Sequence, residues 1–299
     1  MRTKKYNEWL REGFEFKPDS SGDYFYAEHN LTSLKGAPES VGGNFSCSSN
    51  MLTTLEGAPK RIRGYFYCSQ NNLTTLEGAP KEVSKFFGCS HNSLMTLEGA
   101  PERVDGDFYC DSNRLTSLVG APKRVGKDFY CPNNKLMTLE GAPESVGGGF
   151  YCDSNMLTSL KGAPESVGGA FSCSNGNLTS LEGSPKEVDG FFSCINNSLT
   201  SLEGAPERVD DYFYCDEFTI PKGEWGIEGW LKVLEKGTEK AKSLILTLLS
   251  DDLLDKWCLD DPTRLHLLDG HPDLKAGVLK RTGVKDLSRL GRTIKTGLI

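Results

Sequence analysis

Histidine is scarce in this chain: four in 299 residues, at His29, His91, His266 and His271, and they do not cluster. Cysteine is not scarce, with ten copies, but no pair falls at the C-x2–4-C spacing of a structural zinc site. No P-loop, no G-x-S-x-G elbow and no conspicuous carboxylate pair is present, so nucleotide-binding and the common hydrolase chemistries have no motif to stand on. Long apolar runs are missing too. The best candidate, 244–249, is six residues long, where a spanning helix needs about 18. Residues 6–11, after the basic start, mix polar and apolar side chains and form no apolar core of a secretory signal. These absences lead to an expected protein that is not an enzyme, holds no cofactor or metal, and has no membrane partner.

What is present is unevenly charged and regularly punctuated. The net charge is −7; residues 1–216 carry 20 basic and 28 acidic side chains, whereas 274–299 carry seven basic residues against Asp286 alone. Thirty-three glycines and fourteen prolines recur at fixed intervals, which argues for repeated turns and against low complexity.

The interval is 21. Phenylalanines at 45, 66, 87, 108, 129, 150, 171 and 192 each open a copy of F-x-C-x-x-N-x-L-x-x-L-x-G-A-P-x-x-V, Phe213 opens a last F-x-C, and an irregular first copy is placed at Phe25, with Ala27 in the cysteine position. The asparagine row runs from Asn50 to Asn197, broken once at Gly176. A sustained period of this length means a solenoid. F-x-C reads as a short strand with Phe and Cys inward and the middle residue outward. The Asn turns its amide toward the backbone of neighbouring coils. Two leucines fill the coil, and Gly-Ala-Pro bends the chain onto an extended, polyproline-like convex side. Nine strand spacings of ~4.8 Å give a length of about 45 Å.

The template resembles the leucine-rich repeat L-x-L-x-x-N-x-L in its shortest bacterial form. It is similar to the repeats of effectors secreted by Gram-negative pathogens, and to repeat proteins encoded by large tailed bacteriophages. The fold class read here is therefore a leucine-rich-repeat solenoid, with parallel β on the concave face, an N-terminal helical cap and a small C-terminal all-α domain. The divisions are 1–23 for the cap, carried by Tyr6, Trp9, Leu10 and Phe14; 24–215 for the solenoid; and 216–299 for the helical domain with its basic tail. The resemblance implies a binding protein acting in a cytoplasm, that of a host cell if the source is a phage or pathogen.

The cysteines read as small, soft core residues kept reduced, one per coil, and not as a disulfide framework. The outward positions are free to vary, and there Tyr67, Tyr109, Tyr130 and Tyr151 stand with Asp107, Asp111, Asp128 and Asp153. Tyrosines among carboxylates on a stiff surface fit a protein partner with a basic patch; the competing reading is a ladder of strand-forming tyrosines that stabilises the sheet. The Lys/Glu alternation after each proline, from Lys60 to Glu144, reads as a solvated rim. The expected function is a protein-interaction module, an inhibitor of a host or defence protein, with a virion component as the alternative.

The C-terminal segment holds two sharper motifs. Cys258-Leu259-Asp260 resembles the Cys-x-Asp nucleophile of the helical ubiquitin-ligase domain found in some repeat effectors, but about 80 residues are too few for such a domain, and Trp257 and the leucines point to a core thiol. Residues 274–295 resemble a helix-turn-helix in which Lys285, Arg289, Arg292 and Lys295 meet phosphates, the route by which nucleic acid would bind.

Overall fold

The computed structural model describes residues 15–249 and 251–283. The helix expected over Tyr6 to Phe14, and Lys285, Arg289, Arg292 and Lys295, lie outside the described residues.

The inner positions behave as hydrophobic spacing demands. Every template phenylalanine from Phe45 to Phe213 is fully buried, as is every cysteine from Cys47 to Cys194. Each F-x pair forms a short strand, and these strands join with Tyr24–Phe25 into one parallel sheet. The offset is 21 residues at each pairing, for example Phe108 to Phe129 and Phe129 to Phe150. Like residues therefore stack into columns. Phe rings lie 5.1 to 6.0 Å apart along the axis, nearly parallel at Phe108–Phe129, where the planes differ by 4°.

The same offset governs the first copy, and it corrects the sequence alignment there. Tyr24 pairs with Phe45, and Phe25 with Ser46. Tyr24 thus occupies the phenylalanine column and Tyr26 the cysteine column, while Phe25 points out and is 53% exposed. Leu31 then falls in its regular column, so the copy is regular in spacing and departs from the template in residue type, with Tyr24, Tyr26 and His29 in the Phe, Cys and Asn columns. Tyr26 is tied down: its hydroxyl donates to Lys17 O at 2.6 Å and Phe16 packs edge-on against its ring.

The convex side is extended, as expected, and its extended segments are themselves paired. Two-residue strands from Ser40–Val41 to Arg208–Val209 make a second parallel sheet of nine strands, each with its Val or Ile buried beneath an exposed neighbour. Each coil turns between the sheets through two left-handed residues. One is the glycine of Gly-Ala-Pro; at Gly120, φ is +86° and a Cβ would meet the Glu98 amide nitrogen at 2.4 Å. The other is the residue before the asparagine, from Ser49 to Asn196, with φ between 54° and 59° although none is glycine.

The asparagine following that residue satisfies the turn. Asn134 Nδ2 donates to Cys110 O, Cys131 O and Pro132 O at 3.1 to 3.2 Å, and its Oδ1 accepts from Leu115 N at 3.0 Å. One side chain thus knits two coils. The thiols add a weaker tie: Cys68 Sγ donates to Gly88 O at 3.3 Å, and Cys152 Sγ to Ser172 O at 3.2 Å. This explains cysteine over valine in the column, since a thiol is small and still donates.

At Gly176 the asparagine ladder has a gap. By period, an asparagine there accepts from Leu157 N–H and donates to Cys152 O and Cys173 O. The close neighbour of its Cβ would be a side-chain end, Asn197 Oδ1 at 2.8 Å. Gly176→Asn is expected to stabilise the protein by about 2 kcal/mol through the restored bonds and reduced unfolded-state freedom. Urea denaturation of the two proteins measures it; an unchanged or lower midpoint would contradict it.

After Cys215 the chain reverses. Phe218–Ile220 pairs antiparallel with Phe213–Cys215, a strand that the sequence reading missed. Trp225 then covers the end of the phenylalanine column, its ring stacked 4.0 Å from Phe213 and its Nε1 donating to Pro206 O. Four helices follow among the described residues, α1 (Ile227–Lys236), α2 (Glu239–Leu246), α3 (Asp251–Asp260) and α4 (Pro272–Thr282), with a 3-10 turn at Pro262–Leu268. Thr247, just past α2, accepts from Leu202 N and so joins this segment to the solenoid. No helix among the described residues is long and apolar enough to cross a membrane.

Candidate functional site

Because the strands pair in register, the residue after each template phenylalanine forms a column on the outer face of the first sheet. In the middle of the molecule that column is aromatic. Tyr109 and Tyr130 have ring centroids 5.0 Å apart, and Tyr130 and Tyr151 5.6 Å. Tyr67 would be separated from them by Gly88, but Phe86, two residues earlier, closes the gap: its ring lies 4.8 Å from Tyr67 and 4.9 Å from Tyr109. The glycine is what admits it, since a Cβ on Gly88 would sit 2.5 Å from Phe86 Cε1. Gly149 does the same for the Tyr151 ring, which would meet a Cβ there at 2.6 Å. The result is one ribbon of five rings in contact, tilted against one another and edge-on at Phe86–Tyr109. Phe86 is the member that sequence reasoning left out; the signal was there, an aromatic two residues ahead of the glycine that interrupts the tyrosine column.

The four tyrosines are half-buried, and among the described residues none of their hydroxyls has a hydrogen-bond partner. Partial burial pushes each phenol above its ordinary pKa, and carboxylates add to it: Asp107 and Asp128 for Tyr109, Asp111 and Asp153 for Tyr130. Tyr151 is raised by burial and then by Asp128 and Asp153, and Tyr67 by burial, Tyr65 and Asp107. The hydroxyls therefore stay protonated donors throughout the neutral range.

The four aspartates flank the ribbon, and each is fixed by its neighbours. Asp107 Oδ1 accepts from Asp128 N at 3.1 Å, and Asp128 Oδ1 from Gly149 N at 2.7 Å. Asp153 Oδ1 accepts from Ser174 N and from the Ser172 hydroxyl; Asp111 Oδ1 accepts from the Ser90 hydroxyl and its Oδ2 from Ser112. These carboxylates couple coils as well as lining the surface. In Asp107, Asp128 and Asp153 the second oxygen, Oδ2, makes no hydrogen bond to a described residue.

The C-terminal motifs give a different picture. Cys258 is fully buried, and its thiol is raised by that burial and then by Asp255, the opposite of the depression that activates a nucleophilic cysteine. Of the basic residues after 273 that are described, Arg281 is held by Asp251 and Asp255 and Lys275 by Asp269. No group of three or more histidine, cysteine or acidic side chains that could hold a metal ion occurs among the described residues.

No family model matches the chain, and no curated protein does. Among solved structures it is similar to YopM from Yersinia enterocolitica WA-314, at a TM-score of 0.46 and 19% sequence identity, over 72% of this chain and 55% of that one. The chain thus spans about half the length of YopM.

Proposed function

We propose that this chain is a non-enzymatic protein-interaction module that binds a basic protein partner on the ribbon of Tyr67, Phe86, Tyr109, Tyr130 and Tyr151. The observation that carries this reading is the combination of free hydroxyls and free carboxylate oxygens on a surface already immobilised by ring-to-ring packing and by coil-to-coil hydrogen bonds. Rigid aromatic side chains present large contact area with little rotamer entropy left to lose. Fixed carboxylates attract and orient lysine or arginine and repel nucleic acid. The partner belongs, in this reading, to a host cell whose cytoplasm the protein enters or in which it is made, and the binding inhibits it. The likeness of the repeat template to effector and phage repeats supports that step.

The test compares affinity capture from nuclease-treated lysate by the wild type and by Tyr109/Tyr130/Tyr151→Ala. Packing between these half-buried rings contributes only about 0.5–1.5 kcal/mol per pair, so the variant stays folded. Loss of three central anchors weakens a specific partner by roughly 100-fold or more. A partner retained equally by folded variant and wild type would move the function off this face.

A further inference from the structure

The outer face of the second sheet is charged in a pattern that the description of a solvated rim does not explain. Four residues after each template proline line it. In coil order they read KRIR, KEVS, ERVD and KRVG from Lys60 to Gly126, then ESVG, ESVG, KEVD and ERVD from Glu144 to Asp210. The first four coils carry seven bases against three acids; the next four carry six acids against two bases. Since these segments pair in register, the face has a basic half and an acidic half of equal length and equal, opposite net charge. The preceding coil adds only Glu39, already ion-paired to Lys60.

Pairing within the chain uses part of this charge. Arg208 takes Glu187, Asp189 and Asp210, Lys186 takes Glu165, and Arg103 takes Asp105. Among the described residues no ion pair involves Arg63, Lys81, Lys123 or Arg124 in the basic half, nor Glu144 or Glu207 in the acidic half. All six are exposed.

We infer that this face binds a second copy of the same chain, related by a two-fold axis between the coils of Arg124 and Glu144. A surface split into halves of opposite sign complements itself under a two-fold rotation. The rotation sets the coil of Arg63 over that of Glu207 and the coil of Lys123 and Arg124 over that of Glu144, so three of the four unpaired cations meet the unpaired carboxylates, while Lys81 faces Glu187 and Asp189, which Arg208 already holds. A polyanion would gain the basic half and be repelled by the acidic one. The size is consistent with a weak dimer. Eight coils of ~4.8 Å by four residues of ~3.3 Å cover about 500 Å² per copy, at the low end for a specific interface once both copies are counted. Such an association depends on charge and is sensitive to salt. It uses the face opposite the aromatic ribbon and does not depend on the function proposed for that ribbon.

Sedimentation velocity of the full chain tests it. A dimer is expected at about 50 mM salt, with at least tenfold weaker association at about 500 mM. Two variants, Arg63→Glu with Arg124→Glu and Glu144→Lys with Glu207→Lys, should each be monomeric alone. Mixed in equal amounts they should form a heterodimer, since every reversed charge then meets its opposite; circular dichroism of each checks that it is folded. A wild type that is monomeric at both salts overturns the inference, as do variants that dimerise alone as well as the wild type does. Binding of an oligonucleotide that only Arg63→Glu with Arg124→Glu removes, without self-association, would overturn it and give the basic half to a polyanion instead.

Discussion

Raising the pH from about 8 to about 10 under reducing conditions is expected to unfold the protein. Eight thiols, Cys47 through Cys194, are buried and held protonated well above their ordinary range, with burial the leading cause in all but Cys194, where the hydrogen bond to Cys215 leads. The unfolded chain therefore releases these protons first, near pH 8.5. Their contribution to stability is complete below that pH and is lost as the pH rises toward the folded values. Each thiol loses about 2 kcal/mol over this interval, and eight together lose roughly 15 kcal/mol, as much as the whole stability of an ordinary domain. The phenols of Tyr67, Tyr109, Tyr130 and Tyr151 are raised too and act in the same direction at higher pH. Urea titrations at successive pH values measure the slope. Replacing four ladder cysteines with alanine should halve it, and a stability that is flat from neutral to alkaline pH would refute the linkage. Cys215 is the exception: the Cys194 hydrogen bond lowers its thiol.

Asn134→Ala is expected to cost about 3–5 kcal/mol, more than any exposed substitution in the solenoid. The side chain is 7% exposed and serves three carbonyls and one amide across two coils. Alanine removes every one of these partners, and a buried backbone group left unmet costs about 1–3 kcal/mol. Lys135→Ala, one position on and exposed, should change stability by less than about 0.5 kcal/mol. Hydrogen exchange adds a second readout: the amide of Leu115 should lose protection in the Asn134 variant while that of Leu178, served by Asn197, keeps it. A loss below about 1 kcal/mol in denaturation would show that the ladder is dispensable.

Much of this fold was legible because the inner positions of a solenoid repeat with few exceptions. Phe, Cys, Asn and the two Leu of each coil meet copies of themselves above and below, so a foreign residue is visible at once, as Gly176 was. The helices from Trp225 onward were legible for another reason: amphipathic spacing and Pro or Gly punctuation mark their ends. What was missed was shorter than the signals that reveal it. Two-residue strands such as Arg124–Val125 are below the length at which alternation is measurable. The left-handed turn before each asparagine is taken by Ser, Gln, His or Asn, with no glycine to announce it. The first copy slipped by one residue because Phe25 was matched to phenylalanines by identity, while the interior accepts a tyrosine and the pairing with Phe45 belongs to Tyr24.

At the candidate site the residues were legible and their duties were not. The tyrosine column could be read from the period alone, and so could the aspartates. That Asp128 caps the amide of Gly149, or that Asp153 holds Ser174, depends on which side chains become neighbours across a coil boundary. A substitution such as Asp128→Ala accordingly changes both the charge of the face and the coupling beneath it. Arginine-bearing peptides and stability measurements are needed together to separate the two.

The constant offset of 21 residues has a consequence for ancestry. Any stretch of that length, cut anywhere within the regular coils, leaves ends that rejoin with the same inner columns, turns and asparagine bridges, because each coil touches only its immediate neighbours. Loss or duplication of one unit through unequal recombination therefore preserves the architecture while shifting the aromatic segment and the charge boundary relative to the ends. A change of any other length moves phenylalanine out of its column. The gene is editable in steps of one coil and in nothing smaller.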